Sequence, residues 1–307
     1  MVLICWLLIL AFLAFCLALG LSQRLQDWLR DHWPVGSDAG PPWTDKEISA
    51  FGRWLNGLAL PGIILSATDK PVDPEGSRIG GPLFLREGDV WPLDASGRPF
   101  EFVAQLDFSA LPPLPDFPEH GLLQFFVRRD DSFGYDSEDA LVGSSYCRWL
   151  PDGAESAGHL EPPPPLGAKD CTPFLPAAQL GGKDARAHGV ALKGRAKRRM
   201  MPGSSDWRIQ SRLVGHQHRR GIDLVETKIE MAEETVPMPH HVGGHPVFTQ
   251  WDFREPGHYD DYDRVLLRLT SDELLRWGDT GEAAFMIRHT DLVARDFTAV
   301  AFYWDCA

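Results

Sequence analysis

The sequence predicts an α+β protein, predominantly β, with two pseudo-repeated β halves around a shared core, preceded by one N-terminal transmembrane helix. Three observations carry that prediction. The first is a stretch that occurs twice. Arg78-Ile79-Gly80-Gly81, Phe102 to Asp107 and Gly121 to Arg128 recur as His241-Val242-Gly243-Gly244, Val265 to Thr270 and Gly281 to Arg288. The glycine pairs are 163 positions apart (243 − 80), as are Leu106 and Leu269, while Phe125 and Phe285 are 160 apart (285 − 125). A near-constant spacing marks an internal duplication, which is a statement about architecture. The second observation is period-two alternation inside the repeated pieces: Phe102, Ala104 and Leu106 fall on one face, Val103, Gln105 and Asp107 on the other. The third is Val2 to Leu21, an uncharged and almost wholly apolar run. At about 1.5 Å per residue such a run spans a bilayer core of about 30 Å.

Taken in order, residues 1–22 read as a transmembrane anchor and 23–43 as a juxtamembrane linker broken at Gly40-Pro41-Pro42. A cleaved leader is the competing reading, but no basic residue precedes the run and only Ala18-Leu19-Gly20 resembles a cleavage site. Arg24 and Arg30 follow the span, which places the remaining chain on the cytoplasmic side of an inner membrane as a single-pass protein. Residues 44–307 then form one domain, with repeat halves at about 78–131 and 241–291 and a Pro-rich and basic connecting segment at 151–220. Thr44 with Glu47 is a capping-box signature, and Ile48, Phe51, Trp54, Leu55 and Leu58 recur at helical spacing, so 45–58 is an amphipathic helix. Ile63 to Leu65, residues 222–230 and Ala299 to Trp304 read as further strands, and Asp94-Ala95-Ser96-Gly97 as a turn.

Composition excludes several classes. With 44% hydrophobic residues and 11 Trp the chain is not disordered, and a formal charge of −13 argues against a surface that binds nucleic acid as a whole. Cys147, Cys171 and Cys306 have no metal-like spacing and suggest no disulfide framework. Residues 183–220 run against the general charge, with eleven Lys or Arg against Asp184 and Asp206, a net +9 (11 − 2). The cluster Lys193, Arg195, Lys197, Arg198 and Arg199 reads first as a solvated loop. Anionic lipid is a possible partner for it, and nucleic acid an unfavoured one.

The sequence supplies no catalytic signature: neither a Gly-x-Ser-x-Gly elbow nor a phosphate-binding glycine loop occurs. His241 and His245 straddle Gly-Gly and precede Pro246, so no helix presents them to a metal, and Asp130, Asp131, Asp136, Glu138 and Asp139 lack calcium-loop spacing. No metal and no cofactor is expected. Gly80, Gly81, Gly243 and Gly244 suit close packing or turns. Polar positions on the strands and their flanks are the candidate ligand-binding residues: Gln105, Asp107 and Gln124 in one half, Arg268 and Asp279 in the other.

Ser77 to Gly81, Trp91-Pro92, Phe102 to Phe108 and Gly121 to Phe126 resemble, in order, the YwqG-like family of bacterial proteins of unknown function. So do Gly243-Gly244, Phe248-Thr249-Gln250, Trp277 to Gly281 and the closing Trp304-Asp305-Cys306. The resemblance covers roughly residues 75–307 and implies a mixed, largely β fold without established activity. It marks Gly80, Gly81, Gln105, Gln124, Gly243, Gly244, Gln250, Trp277, Gly278 and Asp279 as characteristic, which adds Gln250 and Trp277 to the ligand-binding candidates and Gly278 to the structural glycines. The expected function is a membrane-tethered, non-catalytic binding or interaction domain with a protein partner. The alternative is a hydrolase or transferase with a site between the halves.

Overall fold

In the computed structural model, residues 44–135, 144–151, 158–176, 184–213 and 240–306 are described. The expected anchor, its linker and the predicted strand at 222–230 lie outside them. Twelve strands are seen among the described residues: β1 (Leu60–Ala67), β2 (Arg78–Ile79), β3 (Leu83–Arg86), β4 (Glu101–Asp107), β5 (Leu122–Val127) and β6 (Ser145–Leu150), followed by β7 (Gly158–Glu161), β8 (Val190–Met200), β9 (His241–Gly243), β10 (Arg264–Thr270), β11 (Glu282–Ile287) and β12 (Ala301–Asp305). Four helices accompany them: α1 (Asp45–Gly57), α2 (Ala185–His188), α3 (Trp207–Leu213) and α4 (His289–Ala294).

The predicted architecture is corrected on two points. In place of two β halves, ten strands form one continuous sheet in the order β12-β11-β10-β9-β1-β8-β2-β4-β5-β6, with β3 and β7 as a separate pair. The joining strands are β1 and β8, which pair antiparallel from Leu60/Met200 to Ala67/Leu192 and belong to neither repeated stretch. The second point is the transmembrane helix: among the described residues no helix is long and apolar enough to cross a membrane.

The order is nevertheless symmetric in role about the β1–β8 pair, since β9, β10 and β11 on one side answer β2, β4 and β5 on the other. The sheet curls until it is nearly closed. Phe125 on β5 meets Phe285 on β11 with ring centroids 5.0 Å apart, and Trp304 on β12 donates to the Ser132 carbonyl beyond β5. The space between the halves is therefore filled by Val103, Leu106, Leu123, Leu267, Trp277 and Phe302, all fully buried. Burying such side chains is worth about 1.5–3 kcal/mol each, the main term holding the curl.

Local chemistry explains the flanking elements. Thr44 and Glu47 make the predicted capping box, with the Thr44 N–H donating to Glu47 Oε2 at 2.7 Å. Phe51 and Leu55 turn the apolar face of α1 onto Ile209 of α3. Gly80, Gly81, Gly243 and Gly244 all adopt positive φ, between 63° and 82°, where a side chain is strained. The basic stretch expected as a solvated loop is strand β8. Its Lys-x-Arg-x-Lys alternation has the period of a strand, although charge conceals it.

Candidate functional site

The polar strand positions separate into two unlike environments. In the first half Gln105 and Gln124 are cross-strand partners, both fully buried. Gln124 Nε2 donates to Gln105 Oε1 at 2.9 Å and to the Phe84 carbonyl at 2.7 Å. Gln105 Nε2 donates to the carbonyls of Pro74 and Gly76, and buried Arg78 reaches the same two. Burial lowers the Arg78 pKa to about 10, so the guanidinium is charged at neutral pH. These side chains stitch the 74–76 loop and β3 to the sheet. Asp107, at the end of β4, accepts from the Ser109 N–H at 2.9 Å.

In the second half Arg268 is buried and forms an ion pair with Glu282 on β11. Burial pushes the Glu282 carboxyl above its ordinary range, and Arg268, which opposes that shift, does not fully offset it. Both residues line a cleft of about 250 Å³ with Thr249, Thr270 and Thr280, and Thr249 donates to Glu282 Oε1 at 3.2 Å. Trp277 is fully buried against Phe133, Asp279 is exposed, and the Cys306 side chain packs where a Cβ on Gly278 would lie. Thus the structure joins Gln105 to Gln124, buries Trp277 in the core and leaves Asp279 exposed.

Gln250 points to a larger site. It lines a groove of about 990 Å³ between α3 and the 248–258 loop, next to the Arg268–Glu282 cleft, with which it shares Phe248 and Thr249. Beneath it two Asp-aromatic-Arg tripeptides, Asp206-Trp207-Arg208 and Asp252-Phe253-Arg254, make the same set of hydrogen bonds. Asp206 accepts from the Arg208 N–H, Nε and an Nη at 3.0, 2.8 and 2.6 Å. Asp252 accepts from the same groups of Arg254 at 3.0, 2.9 and 2.7 Å. They also interlock: the Trp207 N–H donates to Asp252 Oδ2 at 3.0 Å, and Arg254 reaches Asp206 Oδ2 at 3.4 Å. Charge-assisted forks of this kind are the stronger hydrogen bonds of proteins. Two carboxylates and two guanidiniums cancel, so the floor is fixed and electrically neutral.

The arrangement positions the aromatics. Trp207 and Phe253, the central residues of the tripeptides, both face the groove. Trp251 stands at its wall and is 42% exposed. Burial would raise the Asp206 carboxyl, but Arg208 and Arg254 hold it below the usual carboxylate range. Arg208 also lies 3.1 Å from His245 Nδ1, while His245 Nε2 donates to the Leu58 carbonyl at 2.7 Å. The carbonyl can only accept, so Nδ1 is the unprotonated nitrogen. Burial first, and the Arg208 charge second, lower the His245 pKa to about 4.

Among the described residues no group of three His, Cys, Asp or Glu could hold a metal ion. The residues 77–306 match the family model described as Domain of unknown function (DUF1963), and the chain belongs to this family. Comparison with curated proteins gives no match. Sequence reasoning reached Gln250 and Arg268 but missed Trp207, Trp251, Asp206 and Arg254. The available signal was the recurrence of Asp-aromatic-Arg at 206 and 252.

Proposed function

We propose that this protein is a non-catalytic binding domain that holds a segment of a protein partner in the groove between α3 and the 248–258 loop. One observation carries the reading: the groove is lined by Trp207, Phe248, Trp251 and Phe253, while its buried charged groups are consumed by their own pairing. What it offers is aromatic contact surface and the hydrogen-bonding side chains of Ser204, Gln210, Ser211 and Gln250. Exposed Trp in such a setting is the residue type that most often anchors a protein interface. A hydrolase or transferase between the halves has no comparable support, because the space there is filled by apolar side chains. We further infer that the family is the YwqG-like one, on the ordered motifs from Ser77 to Phe126 and from Gly243 to Cys306.

Native mass spectrometry of the full chain, purified at low salt from its own cells, tests the reading. The expected result is a second polypeptide that is lost on Trp251→Ser while the variant keeps its melting temperature. A stoichiometric small-molecule adduct lost in the same variant would overturn it in favour of a metabolite site.

A further inference from the structure

The strand β8 carries five basic residues in eleven, Lys193, Arg195, Lys197, Arg198 and Arg199, and no acid. The rest of the chain is then −18 (−13 − 5). Strand geometry puts these charges in a row. A Cβ added at Gly194 would meet Ile63 and Leu111 of the interior at 2.8 and 2.6 Å, so the side chains of Lys193 and Arg195 point to the opposite, outer face. Alternate residues are about 7 Å apart along a strand, which spreads Lys193, Arg195, Lys197 and Arg199 over about 20 Å. Towards the end of β8 the register slips by one residue, from Gly62↔Lys197 to Leu60↔Met200. The extra residue of that bulge leaves both Arg198 and Arg199 exposed.

These cations are not spent on intramolecular pairs. The ion pairs of the described residues use Arg98, Arg129, Arg186, Arg208, Arg254 and others, and none involves Lys193, Arg195, Lys197 or Arg198. Arg199 alone is anchored, donating to the Asn56 carbonyl and Oδ1 at 2.8 and 3.1 Å at the end of α1. Aligning five like charges on one strand is unfavourable unless an external anion compensates them. The acidic remainder compensates them poorly, because at physiological ionic strength charges beyond about 8 Å are screened.

We infer that the outer face of β8 docks on the anionic headgroups of a lipid bilayer. A planar row of cations on a rigid strand matches a planar sheet of charge, to which each contributes through proximity alone. Single-stranded nucleic acid would call for aromatic side chains between the charges to stack its bases. Here the intervening residues are Gly194 and Ala196, and the facing residues of β1 are Gly62, Ile64 and Ser66. The surface is separate from the groove and does not depend on what the groove holds.

The test uses the full chain and two vesicle preparations, neutral phosphatidylcholine and the same with phosphatidylserine added. Their ratio cancels any contribution of the apolar N-terminus. The triple variant Lys193→Gln, Arg195→Gln, Lys197→Gln keeps Arg199 and its bond to α1. At roughly fivefold per charge near an anionic surface, the serine-dependent increment falls by roughly a hundredfold in the variant. A salt titration of the unmodified chain gives a readout that needs no variant, and the increment vanishes at high salt. Equal binding of the unmodified chain to both vesicles overturns the proposal, as does an increment that the variant retains. Binding of a single-stranded oligonucleotide that is lost in the variant, without any serine dependence, overturns it in favour of nucleic acid.

Discussion

The two halves fill the same sheet positions with different chemistry. Arg78, Gln105 and Gln124 occupy consecutive strands of one half, and His241, Arg268 and Ala284 occupy the matching register of the other. Where Gln124 meets Gln105, the small Ala284 leaves space, and Arg268 reaches past it to Glu282 two residues earlier on the same strand. The first arrangement is a closed network of amides and backbone carbonyls. The second is an ion pair that opens on a cleft beside the groove. One duplicated scaffold thus has a half that closes its polar residues into a network and a half whose buried ion pair lines a cleft. The groove proposed to bind a partner adjoins the second, with which it shares Phe248 and Thr249.

The largest expected effect comes from removing the side chain at the shared position. Arg268→Met strands Glu282 as a buried, unpaired carboxylate and is expected to lose about 3–5 kcal/mol. Gln105→Met loses only about 1–3 kcal/mol, because Arg78 still donates to the Pro74 and Gly76 carbonyls. Urea unfolding at pH 7 measures both. The double variant Arg268→Met, Glu282→Leu recovers most of the loss, since two apolar groups replace the pair. Equal losses for the two single variants would show that the halves differ in appearance only.

Acid separates the halves next. His245 has a folded pKa of about 4 against an ordinary 6.5, because burial and Arg208 disfavour its charged form. A depressed value means that the unfolded chain takes up the proton first. The stabilising contribution is therefore complete above pH 6.5 and is lost as the pH falls towards 4, by about 3 kcal/mol in all. In the sealed network the glutamines do not titrate, and Arg78 stays charged throughout this range. Amides around Gly244 should lose hydrogen-exchange protection between pH 6.5 and 4 before those around Gly80. His245→Gln should flatten the stability profile there, and an unchanged slope in that variant would refute the assignment to His245.

How much of this was legible in the sequence depends on how each residue advertises itself. The Thr44–Glu47 cap, the strands around Gln105, Gln124 and Arg268, and the positive φ at the glycine pairs follow from local pattern. The continuous sheet does not, because β1 and β8 are not repeated and β8 hides a strand under charge. With two and three residues, β2 and β9 are too short to show any period. The site was half-legible. Polar residues inside strands drew attention to Gln105 and Arg268, whereas the groove depends on Asp206 and Asp252, whose roles appear only once the two loops interlock. Asp279, a candidate on the same polar-position ground as Arg268, is exposed.

The smallest effect sharpens the comparison at the glycine pairs. Gly80 and Gly243 have φ of 63° and 69°, so alanine at either carries the same left-handed strain of about 1–2 kcal/mol. Their surroundings differ. A Cβ at Gly80 would lie 2.3 Å from the Ala185 carbonyl oxygen, a backbone atom fixed by α2. At Gly243 the nearest atom is a Leu114 methyl at 2.6 Å, the far end of a side chain that can rotate away, with the Pro61 carbonyl next at 3.0 Å. Gly80→Ala should accordingly cost more than Gly243→Ala, and comparison of their urea midpoints measures the difference. If the order is reversed, the Pro61 carbonyl is the unyielding neighbour. The rigid seam of the fold would then lie between β1 and β9, under the half that carries the groove, instead of under the half that is sealed.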